Sequence, residues 1–115
     1  MSVQGFIRIC AEADLGEGQL IAVEIGGRKI IVCHGESGFR ALDDLCTHNG
    51  VALNGGRIRK NTIACPMHGA RFDLATGECL AKALGCAPIV THRVRLENGQ
   101  IEVELSDLPV QQPMA

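Results

Sequence analysis

Residues 46–50 of this chain read Cys-Thr-His-Asn-Gly, and residues 65–69 read Cys-Pro-Met-His-Gly. Each segment provides one thiol, one imidazole and then a glycine, and sixteen residues separate His48 from Cys65. A glycine at the end of each segment allows a tight turn that brings backbone N–H groups towards a ligand. We therefore interpret the two segments as two loops that hold one metal centre. Its predicted ligands are Cys46, His48, Cys65 and His68.

Two thiolates and two imidazoles suit more than one kind of metal centre. Zinc is one candidate, because zinc sites with two cysteines and two histidines are common. Zinc fingers, however, usually take both cysteines from one segment and both histidines from the other, whereas each segment here supplies one of each. The mixed order favours a binuclear iron–sulfur cluster, in which the cysteines bind one iron and the histidines bind the other. A zinc-binding or thiol-based regulatory module is the alternative.

The rest of the sequence has the pattern of short strands separated by turns. Gly26-Gly27 and Asn98-Gly99 are expected to close two-residue hairpins, and no segment shows the periodicity of an amphipathic helix. We expect an all-β domain, a small sandwich or barrel, with a loop over Ala81–Pro88. The predicted strands are Phe6–Cys10, Leu20–Ile25, Arg28–His34, Phe39–Asp43, two short pieces within Arg57–Ala64, Arg71–Leu74, Thr91–Glu97 and Gln100–Leu105.

Length and composition limit the classes of protein. The 115 residues suffice for one compact domain, and 46% hydrophobic with 21% charged residues is typical of a folded chain. The formal net charge of −2 gives no reason to expect a nucleic acid or an anionic membrane as a partner. A protein partner is the better expectation.

Cysteine use depends on the compartment. The first residues show neither a basic segment followed by a long apolar run nor a twin arginine, and the sequence lacks the roughly 18 consecutive apolar residues of a membrane span. We therefore expect the cytoplasm, where disulfides are rare. The cysteines outside the two loops have no C-x-x-C partner and are expected to fill space in the core. They are Cys10, Cys33, Cys79 and Cys86.

The two segments with their flanks, CTHNG and CPMHGARFDLATGE, resemble the boxes of Rieske ferredoxins. The resemblance extends from the first predicted hairpin to the last, and is strongest to the ferredoxin components of bacterial multicomponent aromatic-ring dioxygenases. It implies a Rieske-type antiparallel β-sandwich with a two-loop cluster-binding subdomain, at about residues 43–75 of a single domain spanning 1–108. Residues 109–115 are expected to form a flexible tail. The implied cofactor is one 2Fe–2S cluster held by the four ligands predicted above.

The same resemblance implies a function. The chain is expected to be a monomeric, soluble one-electron carrier and not itself an enzyme. It would receive electrons from an NAD(P)H-dependent ferredoxin reductase and pass them, in transient complexes, to a terminal aromatic-ring-hydroxylating oxygenase. The alternative within the same fold is a Rieske-like small subunit of a larger reductase, such as nitrite reductase.

Departures from the high-potential members of the family predict the reduction potential. Those members carry a second cysteine in each box, joined in a disulfide, and hydroxyl groups that donate hydrogen bonds to sulfur. Here the matching positions are Val51 and Met67 for the cysteines, and Ala70 and Phe72 for the hydroxyl donors. Without those donors the reduced, more negative cluster is less stabilised. We expect a potential at the low end of the Rieske range of about −150 to +300 mV.

The segment Ala87-Pro88 has two interpretations. The resemblance implies the proline-containing loop that shields the cluster in this family, and the alternative is an ordinary turn.

Overall fold

The computed structural model describes residues 5–48, 50–67, 69–81 and 85–110. Within these ranges the chain is built of β-strands and a single turn of 3-10 helix, Glu12–Asp14, which confirms the all-β prediction. The strands are β1 (Ile7–Ala11), β2 (Leu20–Ile25), β3 (Arg28–Gly35), β4 (Gly38–Asp43), β5 (Arg57–Arg59), β6 (Thr62–Ala64), β7 (Arg71–Asp73), β8 (Thr91–Glu97) and β9 (Gln100–Glu104).

The strands form two antiparallel sheets. Six strands make the larger sheet, in the order β1-β9-β8-β4-β3-β2, and β5-β6-β7 make the smaller one. The predicted two-residue turns are confirmed: Gly26-Gly27 joins β2 to β3 and Asn98-Gly99 joins β8 to β9. Asn98 and Gly99 have φ angles of 52° and 76°, as this class of hairpin turn requires. The small sheet lies in the connection between β4 and β8, which are neighbours in the large sheet.

Strand β3 separates two clusters of buried side chains. Ile31 and Cys33 belong to a cluster that includes residues of the small sheet, whereas Ile30 and Val32 belong to one formed by strands at both ends of the large sheet. All four are 0% exposed, because successive side chains of a strand point to opposite faces and both faces are covered. The second cluster joins β2 and β3 to β9, so the large sheet folds over on itself as a sandwich.

Predicted and observed strand boundaries agree within one residue. The first strand begins at Ile7 rather than Phe6, and the seventh ends at Asp73 rather than Leu74. The predicted loop over Ala81–Pro88 and the predicted tail lie partly outside the described residues, which omit 82–84 and 111–115. Among the described residues, no helix has the length and apolar character needed to cross a membrane.

Candidate metal centre

The first predicted ligand loop follows β4 and is closed by its own backbone. The Cys46 N–H donates to the Val51 carbonyl at 2.8 Å, and the Gly50 N–H donates back to the Cys46 carbonyl at 2.8 Å. The loop is also fastened at its far end, because one carboxylate oxygen of Asp44 accepts hydrogen bonds from the N–H groups of Leu53 and Asn54, at 2.7 and 2.8 Å. Asp44 lies outside both ligand segments, so its role was not predicted from the sequence.

The second loop connects β6 to β7 and repeats the same bonding at the same spacing. The Cys65 N–H donates to the Ala70 carbonyl at 2.7 Å, and the Gly69 N–H donates to the Cys65 carbonyl at 3.0 Å. Gly69 has a φ angle of 72°, close to the 80° of Gly50 in the first loop. A side chain at either glycine would strain that backbone. The two loops are therefore near copies, as the glycine in each segment predicted.

The predicted ligand residues differ in their exposure to solvent. Cys46 is 0% and Cys65 is 3% exposed, and both belong to the cluster of buried residues that contains Phe72 of the small sheet. His48 is half-buried on the same loop as Cys46. His68 lies outside the described residues. The structure thus brings the two cysteines into one apolar cluster and places one imidazole on the first loop.

This donor set fits the iron–sulfur cluster that the sequence predicts. Two thiols shielded from water at the bases of two equivalent loops would suit a cofactor that takes one cysteine from each loop. The residues that would carry hydroxyl donors in high-potential members are apolar and buried, since Ala70 is 3% and Phe72 0% exposed. Met67, in contrast, is 62% exposed at the tip of the second loop.

A third segment packs against the first loop. The hydroxyl of Thr47, which lies between Cys46 and His48, donates to the carbonyl of Ala87. Thr47 is 1% exposed, so this contact is buried and fixes the segment before Pro88 against the loop. The bond joins Ala87 to the first ligand loop, and the interpretation of Ala87-Pro88 as a loop that shields the cluster stays a prediction.

The expectation that Cys79 and Cys86 only fill space is wrong. They form a disulfide, with 5.8 Å between their Cα atoms. An isolated bridge pairs Cys79 with Phe72 beside the small sheet, and the sulfur of Cys86 reaches Cys79 at that position. Their spacing of seven residues is compatible with a closed loop, but spacing alone does not bring two sulfurs together.

The other two cysteines outside the loops agree with the packing prediction. Cys33 is 0% exposed within the core. Burial, with a smaller contribution from the Asp44 carboxylate, raises the pKa of its thiol to about 12, which keeps it neutral and unreactive. Cys10 is half-buried against the group of core side chains that includes Ile30 and Val32. Its pKa is raised by burial and, to a lesser extent, by the charge of Asp14.

Comparisons with known proteins agree with the geometry. The family model described as the Rieske [2Fe-2S] domain matches residues 5–101. The ferredoxin component of the naphthalene 1,2-dioxygenase system of Pseudomonas putida is 32% identical over 105 residues, which cover 88% of this chain and 96% of that protein. The ferredoxin component of biphenyl 2,3-dioxygenase of Rhodococcus jostii (strain RHA1) is 36% identical over 99 residues, covering 85% and 91% of the two chains.

A solved structure has the same fold. It is described as a complex of reduced oxygenase and oxidized ferredoxin in carbazole 1,9a-dioxygenase, and one of its chains superposes with a TM-score of 0.80 at 27% identity. The match covers 89% of this chain and 94% of that one. The chain has two cysteine loops with the same backbone bonds, and the family model matches most of its length. It therefore belongs to the Rieske [2Fe-2S] domain family, and one Rieske-type 2Fe–2S cluster is its cofactor.

Proposed function

We propose that this chain is a one-electron carrier that serves a terminal aromatic-ring-hydroxylating oxygenase. The observation that carries the proposal is the extent of the match: relatives named as ferredoxin components of dioxygenase systems align over 88% of this chain and 96% of their own length. The complex of oxygenase and ferredoxin among the similar structures supports the choice of partner. An NAD(P)H-dependent ferredoxin reductase is the proposed electron donor.

The proposed ligands are Cys46 and Cys65 on one iron and His48 and His68 on the other. When bound, the cluster would accept and release one electron at a time. The chain's own residues hold the site: the mirrored backbone bonds fix both cysteines, and Asp44 and Thr47 fix the first loop to its neighbours. In this proposal the chain itself catalyses no reaction on a substrate.

The remaining features follow from the carrier role. We propose that the chain acts in the cytoplasm, although the Cys79–Cys86 disulfide is of a kind that is rare there. We also propose that it is a monomer that forms transient complexes and that residues 1–108 are one domain. Weak redox complexes have small interfaces, and the exposed tip of the second loop at Met67 suits such an interface.

Two measurements test the proposal. The purified protein should contain iron and acid-labile sulfide and show the visible and electron paramagnetic resonance spectra of a Rieske cluster, and both His48→Ala and His68→Ala should lose these spectra. A colourless protein that contains only zinc would contradict the cofactor.

Electron flow is tested by reconstitution. NADH, a ferredoxin reductase and a terminal oxygenase should form hydroxylated product only when this protein is added. If the protein instead co-purifies with the large subunit of another reductase and cannot support the oxygenase, the carrier role is wrong.

A further inference from the structure

Charge is distributed unequally between the site and the rest of the molecule. Residues 43–75, which include both ligand loops, contain four cationic side chains and three carboxylates, a formal charge of +1, whereas the remaining residues carry −3 and the whole chain −2. The cationic residues are Arg57, Arg59, Lys60 and Arg71. The end of the molecule that holds the metal centre is therefore positive within an acidic protein.

Strand register places these arginines on one face. Arg57 pairs with Ala64, which pairs with Arg71, so the two guanidinium groups flank a small residue across the three strands. Arg59 lies two residues further along β5 and points the same way, because side chains alternate along a strand. The alternate residues, among them Ile63 and Phe72, face the core.

The positive charge of this face is not neutralised internally. Across the part of the chain that the structure describes, none of the four cations forms an ion pair, whereas Arg93 and Arg95 on the large sheet pair with glutamates. The carboxylate of Asp73 is engaged elsewhere, since its Oδ1 accepts from the N–H groups of residues 75 and 76, at 2.8 and 3.0 Å.

Two shallow grooves connect this face to the metal centre. A groove of about 380 Å³ is lined by Arg57, Arg59, Ala64 and Arg71. A second, of about 290 Å³, is lined by Arg57 and Ala64 again, and by Cys65 of the second loop. Because the grooves share two residues, a partner that contacts the arginines also reaches the wall of the ligand loop.

We propose that the cationic face, formed by Arg57, Arg59 and Arg71, docks a carboxylate-rich surface of the terminal oxygenase. The inference rests on the proposed function. Exposed guanidinium groups pair well with carboxylates, and such charge pairs mainly accelerate association and orient the encounter. A nucleic acid is the less favoured partner, because the face has no aromatic side chain on which a base could stack and the whole chain is acidic.

The salt dependence of electron transfer gives the first test. The cluster-loaded wild-type protein is reduced chemically and mixed with the oxygenase in a stopped-flow instrument, at ionic strengths from about 0.01 to about 0.15 M, where the Debye length falls from about 30 to about 8 Å. Docking through the cationic face predicts that the second-order rate constant falls as salt is added. If the overall negative charge governed the encounter with an acidic partner, the rate constant would rise.

Charge removal gives the second test. The variant Arg57→Gln/Arg59→Gln/Arg71→Gln should reduce the rate constant about tenfold or more at low ionic strength and flatten its salt dependence, within the range known for electrostatic steering. The matched control Arg8→Gln/Lys29→Gln/Arg93→Gln removes the same charge from exposed positions of the large sheet. It should change the second-order rate constant by less than about twofold. A third variant, Arg57→Lys/Arg59→Lys/Arg71→Lys, should retain wild-type salt dependence. Spectra and midpoint potentials of all variants verify that the cluster is intact.

Three other results would overturn the docking proposal, and a fourth would overturn the carrier role. Equal effects of the glutamine variant and its control overturn the docking proposal and leave the carrier role standing. A selective loss in reduction by the reductase assigns the face to that protein instead, and binding of a labelled oligonucleotide that the variant loses assigns it to a nucleic acid; either result overturns the proposal. If the loaded wild-type protein transfers no electron to any oxygenase, the proposed function fails as well.

Discussion

The imidazole of His92 on β8 and the carboxylate of Asp43 on β4 meet inside the large sheet, with 2.9 Å between Nε2 and Oδ1. The other ring nitrogen accepts a hydrogen bond from the Ser106 N–H at 2.9 Å, which assigns the proton of the neutral ring to Nε2. Arg28 donates to both carboxylate oxygens, at 2.7 and 2.8 Å. The carboxylate therefore joins three strands immediately before the first ligand loop.

Asp43→Asn should destabilise the fold by about 3–5 kcal/mol, because the substitution leaves the nearly buried guanidinium of Arg28 without its counter-charge. Urea unfolding at neutral pH measures the change. The control is Glu104→Gln, which removes an exposed ion pair with Arg93 and should cost less than about 1 kcal/mol.

The loss of stability caused by Asp43→Asn should depend on pH. Burial alone would raise the pKa of Asp43, but hydrogen bonds from His92 and Arg28 outweigh it and lower the pKa below its ordinary value of 3.8. The stabilisation is therefore present above pH 3.8 and is lost as the pH falls through the lowered pKa. The difference between wild type and variant should shrink below about pH 4; a difference that stays constant to lower pH would contradict the charge argument.

Gly77→Ala should destabilise the protein more than Gly99→Ala. Both glycines have similar φ angles, 77° and 76°, so both substitutions incur the same backbone strain. Only at Gly77 would the new methyl group collide with a neighbour, the carbonyl oxygen of Ile89. The extra loss should be about 1–3 kcal/mol, as for other overpacked sites. Thermal unfolding of the two variants compares them, and equal melting temperatures would show that the segment before Ile89 moves away freely.

Removal of the disulfide by Cys79→Ser/Cys86→Ser should lower the free energy of unfolding by roughly 2–3 kcal/mol, the loop-closure entropy expected for a loop this short. A dithiol reductant should lower the melting temperature of the wild type and leave that of the variant unchanged. Cys10→Ser is the control, since Cys10 lies outside the disulfide. Peptide mapping after alkylation without reduction should find Cys79 and Cys86 linked; alkylation of both would contradict the bond.

Phe72→Tyr should raise the reduction potential. Phe72 is fully buried among the core side chains that include Cys46 and Cys65. A hydroxyl at that position that donates to sulfur would stabilise the reduced iron–sulfur cluster. One hydrogen bond of about 0.5–1.5 kcal/mol corresponds to about 20–60 mV in a one-electron couple. Redox titration followed by visible absorption measures the shift. Phe39→Tyr, which packs against the other buried cluster, should leave the potential unchanged, and an equal or lower potential in Phe72→Tyr would refute the argument.

Local chemistry made most strands predictable. Gly26-Gly27 and Asn98-Gly99 tolerate the positive φ angles of tight hairpins, and the segments that flank Asn98-Gly99 alternate apolar and polar residues. Strand boundaries were predicted to within one residue. The disulfide was not predicted, because a spacing of seven residues does not by itself bring two sulfurs within bonding distance. The same holds for the bond from Thr47 to Ala87, which joins residues 40 positions apart.

The sequence by itself determined the chemistry of the metal centre. Cys46, His48, Cys65 and His68 are the ligands it predicts, and the glycine after each pair predicts a tight loop, since ligand type and backbone freedom are properties of residues and short spacings. Only the tertiary structure decided the surroundings of those loops. The pairing of β5 with β6 and of β6 with β7 places Arg57 and Arg71 on one face, and Arg57 lines a groove together with Cys65. Such contacts depend on which strands pair and which surfaces pack together, and not on local propensity.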